Sequence, residues 1–146
     1  MSAFEFAETM AGSFRLLEAP ADERAMSFTI RARSRSMLSF IRNPEVEIEG
    51  EIDAEGFADH EHLRGTLEMD MLFKRRLSYA FDFTANDGKR YAFAGEKIIK
   101  PPLAEAMTVL PGAIRDAAGR VIAEALLRFD LRSDLARFLK SFRRST

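Results

Sequence analysis

The chain has 146 residues, 47% of them hydrophobic and 31% charged, which is the size and balance of one soluble globular domain. Its 22 Lys and Arg against 23 Asp and Glu leave a net charge of −1, which removes a whole-domain electrostatic case for nucleic acid. The absence of cysteine excludes disulfides, thiolate metal sites and a cysteine nucleophile, and the 2 histidines leave little for zinc or triad chemistry.

The N-terminal run carries Glu5 and Glu8 and lacks the basic start and apolar stretch of a signal peptide. The longest apolar runs fall far short of the ~20 residues that span a bilayer, so a cytoplasmic chain without a membrane span is expected. Phe4, Phe6 and Met10 recur at period two, as do Phe28 and Ile30. Val46, Ile48 and Ile52 alternate with Glu45, Glu47, Glu49, Glu51 and Asp53, the cleanest strand pattern in the chain. Leu63, Leu67, Met69 and Met71 follow in the same way. Period two means one buried face and one wet face.

The next strand holds Leu77, Tyr79, Phe81 and Phe83. Asn86-Asp87-Gly88 then predicts a hairpin turn, because Asp-Gly supplies the positive φ such turns need. The returning strand carries Tyr91, Phe93, Gly95, Lys97 and Ile99, and Pro101-Pro102 stops it. A seventh strand near 107–116 turns at Ala117-Ala118-Gly119 into an eighth near 120–130, with Val121, Ala123, Ala125, Leu127 and Phe129 on one face. The abundant alanine over 113–127 also permits a helix, against which Pro111, Gly112 and Gly119 argue.

Two segments break the alternation. A short helix is expected near 36–42, before Asn43-Pro44. A C-terminal helix is expected near 133–142, with Ser133 as N-cap, an apolar stripe of Leu135, Phe138, Leu139 and Phe142, and Lys140, Arg143 and Arg144 at the end that favours cations. Residues 143–146 are expected to fray.

About eight antiparallel strands in a single domain, 1–146, solve their edge problem by closing into a lipocalin-like barrel. The expected class is therefore all-β with one C-terminal helix. Eight strands enclose either a filled core or a site for one small ligand. Phe81, Phe83, Phe93 and Met69 are the apolar residues expected to line such a site. Ile98, Val109, Ile122 and Leu126 fall on the outward parity of strands six to eight, where the C-terminal helix would cover them.

Parity also turns two ionisable side chains inward, Glu8 and Lys97. Buried charges are costly unless paired, so these two are expected to meet and orient a polar ligand head, assisted by Tyr79 or Tyr91. A structural ion pair or a solvated position at the barrel rim is the plainer alternative. His60-Glu61-His62 has metal-like spacing, but its histidines face outward beside a turn and no third ligand is evident. Arg31, Arg33 and Arg35 share an outward face, and Lys74-Arg75-Arg76 forms a second basic cluster. Interspersed glutamates make both read as solvated faces. No P-loop, dinucleotide fingerprint or GxSxG is present, so no cofactor is expected.

Phe6-Ala7-Glu8-Thr9-Met10-Ala11-Gly12 resembles the F-x-E-T-M-x-G opening of a family of β-rich domains. Tyr79-Ala80-Phe81-Asp82-Phe83, Gly88 and Tyr91-Ala92-Phe93-Ala94-Gly95-Glu96-Lys97 look like that family's central hairpin. The Gly119 turn, the strand after it and the expected helix from Ser133 to Arg143 fit its close. Such domains accompany GMC-type (glucose–methanol–choline) oxidoreductase modules in sterol-oxidase-like bacterial chains. The resemblance spans nearly the whole chain through short motifs. The flavin-binding glycines and catalytic histidine of the oxidoreductase module have no counterpart here, so it implies no oxidase activity. It implies an accessory or binding domain near apolar substrates.

The expected function is binding of a small apolar or amphipathic, lipid- or sterol-like ligand in the barrel. The alternative is a filled-core domain that docks on an oxidoreductase or forms a homodimer. A cofactor-free enzyme using Glu8 and Lys97 as acid and base is a weaker third reading.

Overall fold

The computed structural model describes residues 3–34, 45–70, 76–98, 109–128 and 143–145. Their alternation produces nine strands: β1 (Ala3–Leu16), β2 (Arg24–Ser34), β3 (Glu45–Ala54), β4 (Ala58–Asp70), β5 (Arg76–Thr84), β6 (Arg90–Ile98), β7 (Val109–Arg115), β8 (Val121–Arg128) and β9 (Arg143–Ser145). The sheet runs β2-β3-β4-β5-β6-β7-β8-β1-β9, and β1 also pairs with β2, closing strands β1 to β8 into an antiparallel barrel. This is the lipocalin-like, all-β closure expected from the sequence.

Parity decides which side chains go inside. In β3, Val46, Ile48, Ile52 and Ala54 are buried, while Glu45, Glu47, Glu49 and Asp53 are exposed. In β5, Leu77, Tyr79, Phe81 and Phe83 are buried. Residues 113–127 contain parts of β7 and β8 joined by a turn, so the helical alternative gives way to strands. The turns at Ala85–Lys89 and Asp116–Arg120 share one construction. Gly88 and Gly119 take φ of 80° and 83°, and Asp87 and Asp116 each accept backbone N–H bonds through their carboxylates.

Three expectations need correction or placing. Arg143–Ser145 does not fray: it pairs antiparallel with Ala3–Glu5 of β1. Ile98 and Leu126 are 53% and 43% exposed rather than covered, while Val109 and Ile122 are half-buried. Ile122 is also displaced from simple parity, because the β7–β8 register shifts between Ile114 and Arg115 and leaves it as the extra residue of a bulge. The helices expected near 36–42 and 133–142, together with Met71, Phe129 and the side chains of Phe4 and Phe6, lie outside the described residues.

The two ends of the barrel differ. At one end the strands are joined by the short turns Leu17–Glu23, Glu55–Phe57, Ala85–Lys89 and Asp116–Arg120. At the other, the connections 35–44, 71–75, 99–108 and 129–142 lie outside the described residues. Phe57 caps the turn end, with its ring 4.8 Å from Tyr91, 6.1 Å from Phe83 and 6.3 Å from Phe14. Asn86 N–H donates to the Phe57 carbonyl at 2.9 Å, tying two of the turns together across that end.

The middle is filled. Phe28 of β2 lies 5.2 Å from Phe81 and 5.6 Å from Phe93, measured between ring centroids. Counted round the closed barrel, β2 and β6 are opposite walls, so the Phe28–Phe93 contact spans the interior. Phe81 stacks on Phe93 at 4.9 Å. The ring of Phe93 is seated on Gly112 of the adjoining strand, where a Cβ would come within 2.5 Å of its Cζ.

Candidate functional site

Cross-strand register places the inward residues of β4, β5 and β6 in rows. From the connection end inward these are Met69, Leu77 and Lys97; then Leu67, Tyr79 and Gly95; then Gly65, Phe81 and Phe93; then Leu63, Phe83 and Tyr91. On the facing wall Glu8 of β1 is opposite Ile30 and, through it, Gly50. Lys97 is thus in the outermost of these rows and Tyr79 in the next, and the Phe81–Phe93 pair of the aromatic plug lies beneath them.

Glu8, Tyr79 and Lys97 meet there. The Tyr79 hydroxyl donates to Glu8 Oε1 at 2.5 Å, bridging strands 71 residues apart in sequence. Lys97 Nζ stands 5.7 Å from the Tyr79 ring centroid, in cation–π range. Tyr79 is 3% and Lys97 5% exposed, and Lys97 is the only charged residue classed as buried among the described residues. Glu8 is half-buried.

Burial governs the protonation of all three groups. It raises the Glu8 carboxyl above the usual carboxylate range, against the opposing pull of the Tyr79 hydrogen bond and the Lys97 charge. It lowers the Lys97 amine, which the Glu8 charge partly restores. It pushes the Tyr79 hydroxyl well above its ordinary range, and the Glu8 carboxylate pushes the same way. Desolvation therefore drives the acid and the amine toward their neutral forms, while their proximity favours the ion pair.

The barrel wall changes beside this cluster. The β6–β7 ladder runs from Ala92 and Arg115 only as far as Gly95 and Gly112, stopping short of Lys97.

The remaining expected site residues fall elsewhere. Met69 stands in the same row as Lys97 and packs on the core. Phe81 and Phe93 belong to the plug, and Phe83 packs beside the Phe57 cap. Tyr91 does not join Glu8 and Lys97. It lies at the turn end, where its hydroxyl donates to Asp87 at 2.8 Å and its ring packs against Phe57. Leu77, beside both Met69 and Lys97, was not singled out from the sequence, although its inward parity was visible.

His60 and His62 are exposed, and His60 adopts φ 45° at a bulge where its N–H donates to Asp53 at 2.8 Å. Among the described residues no three His, Cys, Asp or Glu are grouped to hold a metal ion. Arg31 is engaged by Glu51 at 2.7 and 3.2 Å on the outer face. No helix among the described residues is long and apolar enough to cross a membrane. Searches against protein families, curated proteins and solved structures found no match.

Proposed function

We propose that the chain binds a small amphipathic molecule at the connection end of the barrel. The polar head meets Lys97, Tyr79 and Glu8, and the apolar body packs against Met69 and Leu77. The observation that carries this reading is an ionisable pair and a tyrosine gathered inside a barrel otherwise filled with apolar side chains. A core built for stability alone gains nothing from such groups, since replacing a buried ion pair with apolar residues is often neutral or stabilising. The Phe28–Phe81–Phe93 plug limits the ligand to the outer rows, which favours a short chain or compact body over a long one.

Decanoate and decanol are suitable probes for isothermal titration calorimetry. Micromolar binding is expected, since each buried CH₂ contributes ~0.8 kcal/mol before association costs. Lys97→Met is expected to weaken decanoate at least ~10-fold more than it weakens decanol, because a hydrogen bond to a charged group contributes about 1.5–3 kcal/mol. Equal loss for both probes would remove Lys97 from head-group recognition.

The second reading, a filled-core accessory domain that docks on an oxidoreductase or on another copy, is favoured by the plug and by exposed Ile98 and Leu126. Its signature is a folded protein that binds neither probe and self-associates in sedimentation.

A further inference from the structure

We propose that Lys97 is a covalent attachment point for an apolar aldehyde, which condenses with its amine to form a protonated imine beside the Glu8 carboxylate. This rests on the ligand reading above and names the chemical class that the site suits best. Three features support it. Lys97 is buried, as a lysine must be if its imine is to escape rapid hydrolysis. An acid lies close enough to interact with it electrostatically, and that acid is fixed by a hydroxyl donor, Tyr79, over whose ring the amine stands. The β6–β7 ladder stops at Gly95 and Gly112, so the amine lies beside a stretch of described wall that this ladder does not close.

The chemistry balances with these groups alone. The Nζ lone pair attacks the carbonyl carbon, forming the C–N bond, and a proton moves from nitrogen to the carbonyl oxygen to give a carbinolamine. Glu8 in its acid form donates its proton to the carbinolamine hydroxyl. The C–O bond breaks, water leaves, and the nitrogen lone pair closes the C=N bond. The products are an iminium on Lys97, a Glu8 carboxylate that neutralises it, and one water. Burial favours the reactants this needs, a neutral amine and a protonated acid. Tyr79 positions the acid, because its hydroxyl holds Oε1 and leaves the other carboxyl oxygen to carry the proton.

The test uses the whole chain with decanal and cyanoborohydride, which reduces the imine to a stable secondary amine, followed by peptide mass spectrometry. The sequence has five lysines, Lys74, Lys89, Lys97, Lys100 and Lys140. Alkylation is expected at Lys97 at least ~10-fold faster than at the other four or at the N-terminal amine, with decanol competing at Lys97 alone. Glu8→Gln is expected to slow the Lys97 adduct ~10-fold or more, the scale of general-acid assistance. The wild-type competition keeps the test decisive if that variant misfolds. Even labelling of all lysines, or labelling that spares Lys97, overturns the proposal. If decanol still binds by calorimetry in that case, the imine fails and the ligand site stands; if decanol does not bind, both fall.

Discussion

Replacing Phe28 by alanine is expected to destabilise the fold by about 4 kcal/mol, in the middle of the range for a buried phenylalanine. The ring is 1% exposed and touches Tyr79, Phe81 and Phe93 from the opposite side of the barrel. Its removal takes away the transfer free energy of the ring and leaves a cavity that rigid strands on all sides cannot collapse into. Urea unfolding followed by circular dichroism measures the loss, with an unchanged slope and a lowered midpoint. The same change should join the outer rows to the interior, so that dodecanoate gains affinity relative to decanoate. A loss below about 1 kcal/mol would mean that the plug is not the centre of the core.

Gly65→Ala is expected to cost about 3 kcal/mol although it adds only one methyl group. A Cβ at Gly65 would lie 1.9 Å from the Ala80 carbonyl oxygen and 2.5 Å from the Phe81 Cα, both backbone atoms of β5. A flexible side chain could swing aside, but a laddered strand cannot without breaking the β4–β5 pairing on either side. The close approach marks the place where β4 and β5 coil tightly as the sheet bends into a barrel. Gly88→Ala is a useful contrast: a Cβ there meets nothing within 4 Å, and the penalty comes from φ of 80° alone. Its stability should therefore fall by about 1 kcal/mol.

Period-two alternation carried most of the fold to the surface of the sequence. Val46 to Asp53 and Leu77 to Phe83 show one buried and one wet face, and the Asp87-Gly88 and Ala118-Gly119 pairs mark where the chain reverses. The inward parity of Glu8, Tyr79 and Lys97 was legible for the same reason, since each falls in register with buried neighbours. Parity, however, gives the face and not the height along the barrel. Tyr91 shares the inward face with Lys97 but lies six residues, or about 20 Å of strand, away from it. That displacement is what sends it to the Phe57 cap.

What could not be read follows from closure and from length. That Phe28 meets Phe93 depends on β1 returning to pair with both β2 and β8, a property of the whole ring and of no local segment. β9 is three residues long, too short to show a period, and its residues also suited the end of a helix. Ile122 was placed outward by counting, and a one-residue bulge altered its surroundings. The exposure of Ile98 and Leu126 could not be derived either, because it depends on what packs over the barrel rather than on the barrel itself.

The central claim is that ligand binds at the outer rows beside Glu8, Tyr79 and Lys97 and stops at the aromatic plug. Methionines report on each level of the barrel. Met69 pairs with Leu77 in the row of Lys97, Met10 is opposite Phe28 at the plug, and Met26 pairs with Gly12 and Ala54 near the turn end. A titration of ¹³C-methyl-methionine protein with decanoate, read by NMR, should move the Met69 signal saturably and the Met10 signal less, while Met26 stays in place. Movement of Met26 equal to that of Met69 would contradict a plugged barrel, and a spectrum in which no methionine signal moves would contradict the site.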